Sequence, residues 1–189
     1  MILADLHIHS CYSDGTDTPE QIFAKAQAAG IKCISITDHD TLGAYEDEGR
    51  IAALSQTHGV EIIKGIEFSA NYGEAEVHLL GYFTQGTVCP SFFPVLKEVK
   101  LARQDRMLKI LNKLQGLGIK IDIREFLDYM GDANPSRLHL AMYMHKKGLI
   151  ATVNDAFRNY IGTGKPAYVN RFLYDARAAI QLLKKAGAK

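Results

Sequence analysis

Residues 31–40 read IKCISITDHD. The first seven are rich in β-branched types, which predicts a strand. The last three, Asp38-His39-Asp40, are all ionisable. In α/β sheets and barrels, the carboxyl ends of the strands are where sites form. The stretch therefore predicts both an element and a place for chemistry.

The neighbouring segments repeat the pattern. MILADLHI (1–8) reads as a short buried strand, and Thr18-Pro19-Glu20-Gln21 as a helix start. Thr18 caps, Pro19 suits the first helical position and Gln21 completes a capping box. Phe23, Ala26 and Gln27 continue that helix, and Gly30 can end it in the left-handed conformation. Residues 43–58 predict a second helix, with Ile51 and Leu54 toward the core and Gly59 as its stop. VEIIKGIEF (60–68) and VHLLGYF (77–83) predict two further strands. Alternating strands and helices imply an α/β sheet or barrel with parallel strands.

The texture changes after residue 85. Pro90 and Pro94 interrupt, and 95–115 is a long amphipathic helix with Leu96, Val99, Met107, Ile110, Leu111 and Leu114 on one face. Gly116 and Gly118 close it, and shorter helices are predicted at 123–130, 136–147 and 152–161. PAYVN (166–170) returns to strand character before a helix over 175–186. The expected organisation is the first half of an α/β domain at 1–85, a helical insertion at 86–165 and a return to the first domain at 166–189.

Bulk composition narrows the function classes. Hydrophobic residues at 47% and charged residues at 23% suit an ordinary globular protein. A formal net charge of +1 gives no support to a duplex-DNA binder or a polybasic membrane anchor. Cys11, Cys33 and Cys89 are an odd number at unrelated spacings, against a disulfide framework. The first residues lack a basic stretch followed by an apolar one, and the apolar runs fall short of a membrane span. A cytoplasmic protein is the expectation.

The polar residues at strand ends carry the chemistry. His7 and His9 share one strand face, because side chains alternate along a strand. They are either a solvated strand end or a metal-ligand pair. Asp14, in Ser13-Asp14-Gly15, reads by itself as a turn former. Glu67 follows the apolar run of the third strand, and His78 sits among apolar neighbours in the fourth. Each has a plain alternative: Asp38 as a turn cap, Glu67 as a loop charge, His78 as a satisfied core histidine. Independent coincidences at four strand ends are harder to accept than one shared site. Imidazole and carboxylate donors without cysteine suit Zn²⁺, Mn²⁺ or Fe²⁺.

The series DLHIHS…SDGT…TPE, ITDHDT, GIEFS and HLLGY resembles the PHP (polymerase and histidinol phosphatase) domain. Within that family it is most similar to small phosphoesterases that hydrolyse nucleoside 3′,5′-bisphosphates and short RNA. The likeness is dense over 1–83 and looser beyond 86, where ARQDR, SRLHLA and GTGKPAYV carry it. It implies a distorted (β/α)₇ barrel with up to three divalent metals, manganese first, with iron or zinc as alternatives. By the same resemblance, His7 and His9 would bind one metal and Glu67 would bridge it to a second, held also by His78. Asp14 and His39 would hold the third, with Asp38 and Asp40 behind them orienting imidazoles and fixing their tautomer. A metal-bridging water held at Glu67 would be the nucleophile. Cys11 is then a packing residue.

A nucleotide substrate needs a second grip. Arg103 and Arg106 lie one helical turn apart, although with Asp105 they also read as a solvated basic face. Arg137 and His139 lie in SRLHLA, where the family more often has GRPH, so Ser136 and Leu138 are departures. Arg103, Arg106, Arg137 and His139 are the expected phosphate contacts, with Lys165 as a helper. His58 and His145 read as surface helix residues. The family pattern also expects further ligands downstream, in an AHP-like strand and a DxH pair, and no histidine follows Gly164. A truncated chain, completion by a second chain, and a degenerate metal-binding or interaction module all fit. The expected substrate is a small nucleotide or short RNA, with histidinol phosphate as the competing one; neither duplex DNA nor a membrane is an expected partner.

Overall fold

In the computed structural model, which describes residues 3–131 and 133–189, the apolar start of the chain forms strand β1 (Ala4–Ile8). It pairs in parallel with β2 (Cys33–Ile36). Helix α1 (Pro19–Ala28) connects them and starts with the expected capping box: Gln21 N donates to Thr18 Oγ at 3.4 Å, and Thr18 N to Gln21 Oε1 at 2.9 Å. Ile22, Phe23 and Ala26 are its buried face. Gly30 turns the chain at φ +73°.

The 43–58 segment is not one helix. Gly43–Tyr45 forms a single 3-10 turn, and α2 (Glu48–His58) begins only after Asp47 caps it by accepting from Arg50 N at 2.9 Å. Tyr45 supplies the reason, because its hydroxyl is drawn into the backbone. It accepts from Ile36 N at 3.0 Å and Gly65 N at 3.2 Å, and lies 2.8 Å from Ile36 O, to which it donates. One phenol thus ties β2 to the segment that follows.

The run 60–68 likewise divides. Its first part, β3 (Glu61–Ile62), pairs in parallel with β2. Its second part opens β4 (Lys64–Tyr72), which pairs antiparallel with β5 (Ala75–Phe83), contrary to the all-parallel expectation. Gly65 permits the crossing. A Cβ there would lie 2.3 Å from Ser35 Oγ and 2.8 Å from Thr37 Cγ2, so only glycine lets β4 lie against β2. Phe23, Ile34, Ile36, Ile66, Phe68, Phe83 and Phe92 are buried in this part of the chain.

The chain divides into two compact units: residues through Glu98 with Leu173–Lys189, and Val99–Phe172. Helix α3 (Phe93–Gly116) supplies the second unit with Met107, Ile110, Leu111 and Leu114, all buried as the periodicity predicts. Around them gather Phe126 of α4 (Ile123–Met130) and Leu140 and Met144 of α5 (Arg137–Lys146). Ile161 joins the same core at the end of a π-helical turn, Phe157–Ile161, that follows α6 (Val153–Ala156); 152–161 is therefore not a single α-helix.

PAYVN (166–170) is not a strand. Lys113 Nζ donates to Tyr168 O at 2.7 Å and Arg106 Nε to Val169 O at 2.9 Å, so side chains use carbonyls that a ladder would have used. The return to the first unit is instead β6 (Tyr174–Asp175), parallel to β4, followed by α7 (Ala176–Lys185) with Asp175 as its cap. The strands form two three-stranded sheets, ordered β1-β2-β3 and β5-β4-β6. Among the described residues there is no closed barrel; the strands and helices form an α/β fold. A bridge between His39 and Glu67 joins the sheets, with Asp40 N donating to Glu67 O at 3.0 Å. Among the described residues no helix is long and apolar enough to cross a membrane.

Tyr45→Phe removes the acceptor for two buried N–H groups and keeps the ring. It is expected to destabilise the chain by about 1–3 kcal/mol, seen in urea unfolding as a lower midpoint with an unchanged m value.

Candidate metal centre

Strand ends and a hairpin bring the six candidate ligands together. His7 lies near the end of β1 and His9 just beyond it; Asp14 lies in the following turn and His39 just past β2. Glu67 is on β4, and the β4–β5 register sets His78 opposite Ser69, on the hairpin that carries Glu67. Tyr82 further along β5 donates its hydroxyl to Leu6 O at 2.9 Å, which ties the hairpin to β1 beside His7.

Glu67 is the centre. Its Oε2 lies 3.0 Å from His7 Nε2, 2.9 Å from His9 Nε2 and 3.5 Å from His39 Nδ1. Its Oε1 lies 2.7 Å from His78 Nδ1. Asp14 lies 3.3 Å from His9 Nδ1 and 3.6 Å from His39 Nε2. The donor atoms form three overlapping groups, each within 4.8 Å: His7, His9 and Glu67; His9, Asp14 and His39; His39, Glu67 and His78.

Asp38 and Asp40 stand behind these groups. Asp38 is buried and accepts from Ser10 N at 2.7 Å and from the hydroxyls of Ser10 and Ser13, each at 2.5 Å. Ser13 Oγ in turn lies 3.4 Å from His9 Nδ1. Asp40 adopts φ +53°, a conformation that aspartate tolerates better than most residues. Its carboxylate accepts from Ser69 N at 2.6 Å.

A family model for the PHP domain matches residues 5–188. The chain belongs to the PHP domain family. A 5′-3′ exoribonuclease of Haemophilus influenzae is 33% identical over 183 residues, which is 97% of this chain and 65% of that protein. A 3′,5′-nucleoside bisphosphate phosphatase of Chromobacterium violaceum is 28% identical, covering 97% of this chain and 63% of that protein. A solved Chromobacterium violaceum structure, described as an amidohydrolase with bound sulfate and no metal, superposes with a TM-score of 0.83 at 27% identity. It covers 98% of this chain and 64% of that one. The chain thus spans slightly less than two thirds of the length of these relatives.

The donor set of this PHP domain fits divalent metal ions. His7 Nε2 and His9 Nε2 are 3.3 Å apart and face the same carboxylate oxygen, an arrangement that a shared cation satisfies. Burial works against ionisation of Glu67, but hydrogen bonds with His78, His9 and His7 outweigh it and hold the carboxyl far below the usual range. The hydrogen bond to Glu67, with a further one to Glu76, pushes His78 up to about 9. His9 is raised as well, mainly by its bond to Glu67. Burial pushes Asp38 up against the serine hydrogen bonds. Burial also raises the Cys11 thiol, which disfavours the thiolate a soft metal would need.

The candidate substrate residues all lie in the second unit. Arg103 is buried and donates to Pro135 O at 3.3 Å. Arg106 and Arg137 both lie over the ring of Tyr168, at 5.9 Å and 5.7 Å. Ser136 caps α5, and its hydroxyl lies 3.1 Å from His139 Nδ1. Lys165 and His145 are exposed, and His58 Nδ1 meets Gln27 Oε1 at 2.8 Å on the surface of the first unit. Sequence reasoning missed Ser10 and Ser13, Tyr168 and Glu76. The last was findable, since it lies two residues before His78 on a strand and so shares its face.

The raised His78 and His9 give metal uptake a definite pH dependence. Ligation needs a nitrogen lone pair that the metal-free site holds protonated, and for His78 that persists up to about 9. Uptake should therefore release protons, and apparent affinity should rise with pH by up to roughly tenfold per unit for each proton displaced. Manganese titrations from about pH 6 to about pH 8 check the sign; affinity that is flat or falling with pH would contradict it.

Proposed function

We propose that this chain carries the metal-binding part of a cytoplasmic phosphoesterase. Its substrate is a phosphomonoester of a small nucleotide, either a nucleoside 3′,5′-bisphosphate or the 5′ end of short RNA. The carrying observation is the convergence of His7, His9, His39 and His78 on one buried carboxylate, Glu67. The names of the Haemophilus and Chromobacterium relatives support the substrate class. Cys11, Cys33 and Cys89 are all free thiols, which suits a reducing compartment.

In this reading His7, His9 and Glu67 hold one divalent ion, Glu67 and His78 a second, and Asp14 and His39 a third. Manganese is the preferred ion, with iron or zinc as alternatives. Such ions supply Lewis acidity toward phosphate oxygens and lower the proton affinity of water. The chain's own residues do the positioning. Ser13 donates its hydroxyl hydrogen to Asp38 and so accepts from His9 Nδ1, leaving the Nε2 lone pair toward Glu67. Asp40 holds β4 at Ser69, two residues beyond Glu67 on the same strand. Arg103, Arg106, Arg137 and His139 are the proposed phosphate contacts of the second unit, since guanidinium donors match phosphate oxygens in pairs.

A second reading is metal uptake without turnover, as a PHP-derived metal-binding or interaction module. One experiment separates the two. The manganese-loaded chain is assayed for metal content by plasma mass spectrometry and for phosphate release from a nucleoside 3′,5′-bisphosphate and a 5′-phosphorylated oligoribonucleotide. Glu67→Ala and His9→Ala should each cut turnover at least about a hundredfold, or ~2.7 kcal/mol. Bound metal with no phosphate released favours the second reading, and turnover indifferent to both substitutions sinks the first. A tenfold preference for histidinol phosphate, about 1.4 kcal/mol, would overturn the substrate assignment.

A further inference from the structure

Glu76 lies on β5 two residues before His78, and alternation along the strand puts both side chains on one face. The β4–β5 ladder fixes their places, with Asn71 opposite Glu76 and Ser69 opposite His78. His78 is held between two carboxylates. Its Nδ1 lies 2.7 Å from Glu67 Oε1, and its Nε2 lies 3.2 Å from Glu76 Oε1.

A neutral imidazole carries one N–H and one lone pair, and whatever bonds one nitrogen decides the state of the other. A cation held by Glu67 and His78 needs the lone pair at Nδ1, because that nitrogen faces Glu67. The proton must then sit on Nε2, where Glu76 is the acceptor within reach. Histidine ligands to metals are commonly braced in this way by a carboxylate on the outer nitrogen. We infer that Glu76 is the positioning residue for His78: it holds the Nε2–H tautomer and ring orientation, and through them strengthens the metal site that Glu67 and His78 share. The inference rests on the metal-binding reading of that group.

The competing explanation is a surface carboxylate near a histidine by chance, and the side-chain exposures of 38% for Glu76 and 37% for His78 make it a serious one. The same exposure makes substitution at Glu76 compatible with folding. Glu74, exposed in the turn of the same hairpin, provides a control of equal charge outside the contact.

The full chain is titrated with zinc against a chromogenic chelator, and imidazole tautomers are read from long-range ¹H–¹⁵N spectra of the ¹⁵N-histidine-labelled, zinc-loaded protein. Wild type should show His78 protonated at Nε2. Glu76→Ala should weaken one site by about 10–100-fold and lose that signature. Glu76→Gln keeps an acceptor oxygen and should recover the tautomer and most of the affinity, while Glu74→Ala should match wild type. Thermal unfolding of each metal-free variant confirms folding. Unchanged affinity and tautomer in Glu76→Ala, or an equal loss in Glu74→Ala, overturns the inference and leaves the metal reading standing. A wild-type chain that takes up no zinc overturns both.

Discussion

A buried carboxylate in the middle of the first unit sets the terms for everything around it. Glu67 has a side-chain exposure of 5% and is ionised, a combination that costs several kcal/mol unless charge or hydrogen bonds compensate. The compensation comes from imidazoles on three other segments: His7 in β1 and His9 just after it, His39 after β2, and His78 across the hairpin. Placing Glu67 among them requires β4 to pass close over β2, which Gly65 permits and the Tyr45 hydroxyl fastens. It also requires the chain after β2 to turn sharply enough for Asp40 N to reach Glu67 O, which the left-handed backbone at Asp40 provides. The bend, the crossing and the hairpin register all meet at one side chain.

Much of this was legible because the chemistry contradicts its local context. Ionisable groups directly after IKCISIT, a histidine pair closing an apolar strand and a carboxylate within GIEF stand out against the pattern around them. The capping box at Thr18 and the apolar face of α3 were equally readable, since both are set by nearest neighbours along the chain. What failed has one cause. VEIIKGIEF reads as a single strand because no proline or turn cluster interrupts its β-branched and apolar residues, yet it serves two sheets. The division is decided by how closely Gly65 approaches Ser35 and Thr37, residues distant in sequence. The 43–58 segment failed likewise, because the partners of Tyr45 lie on β2 and at Ile63 and Gly65.

The second unit shows the same limit from the other side. Arg103 and Arg106 stand out by helical spacing, and Arg137 by its place in SRLHLA, but nothing along the chain announces Tyr168. In the fold that ring lies under Arg106 and Arg137 together, and the backbone beside it accepts from Arg106 and Lys113. The strand character of PAYVN was real as a propensity. It was overridden because these cationic side chains engage the carbonyls of Tyr168 and Val169.

Exposure across the metal centre is graded, and the gradient bears on how the site can work. Side-chain exposure rises from 5% at Glu67 through 16% at His39 and 24% at His9 to 37% at His78 and 49% at His7. A site used only to stabilise the fold would enclose its ligands, since closed coordination is what distinguishes structural from catalytic centres. Here the shared carboxylate lies at the bottom and the imidazoles form a rim open to solvent, so an ion could be anchored from below and still meet a ligand from above. The serines and aspartates that brace the rim lie on the protected side, where Asp38, Ser10 and Ser13 are all buried. Rigidity beneath and access above is the division that separates an open metal site from a closed structural one.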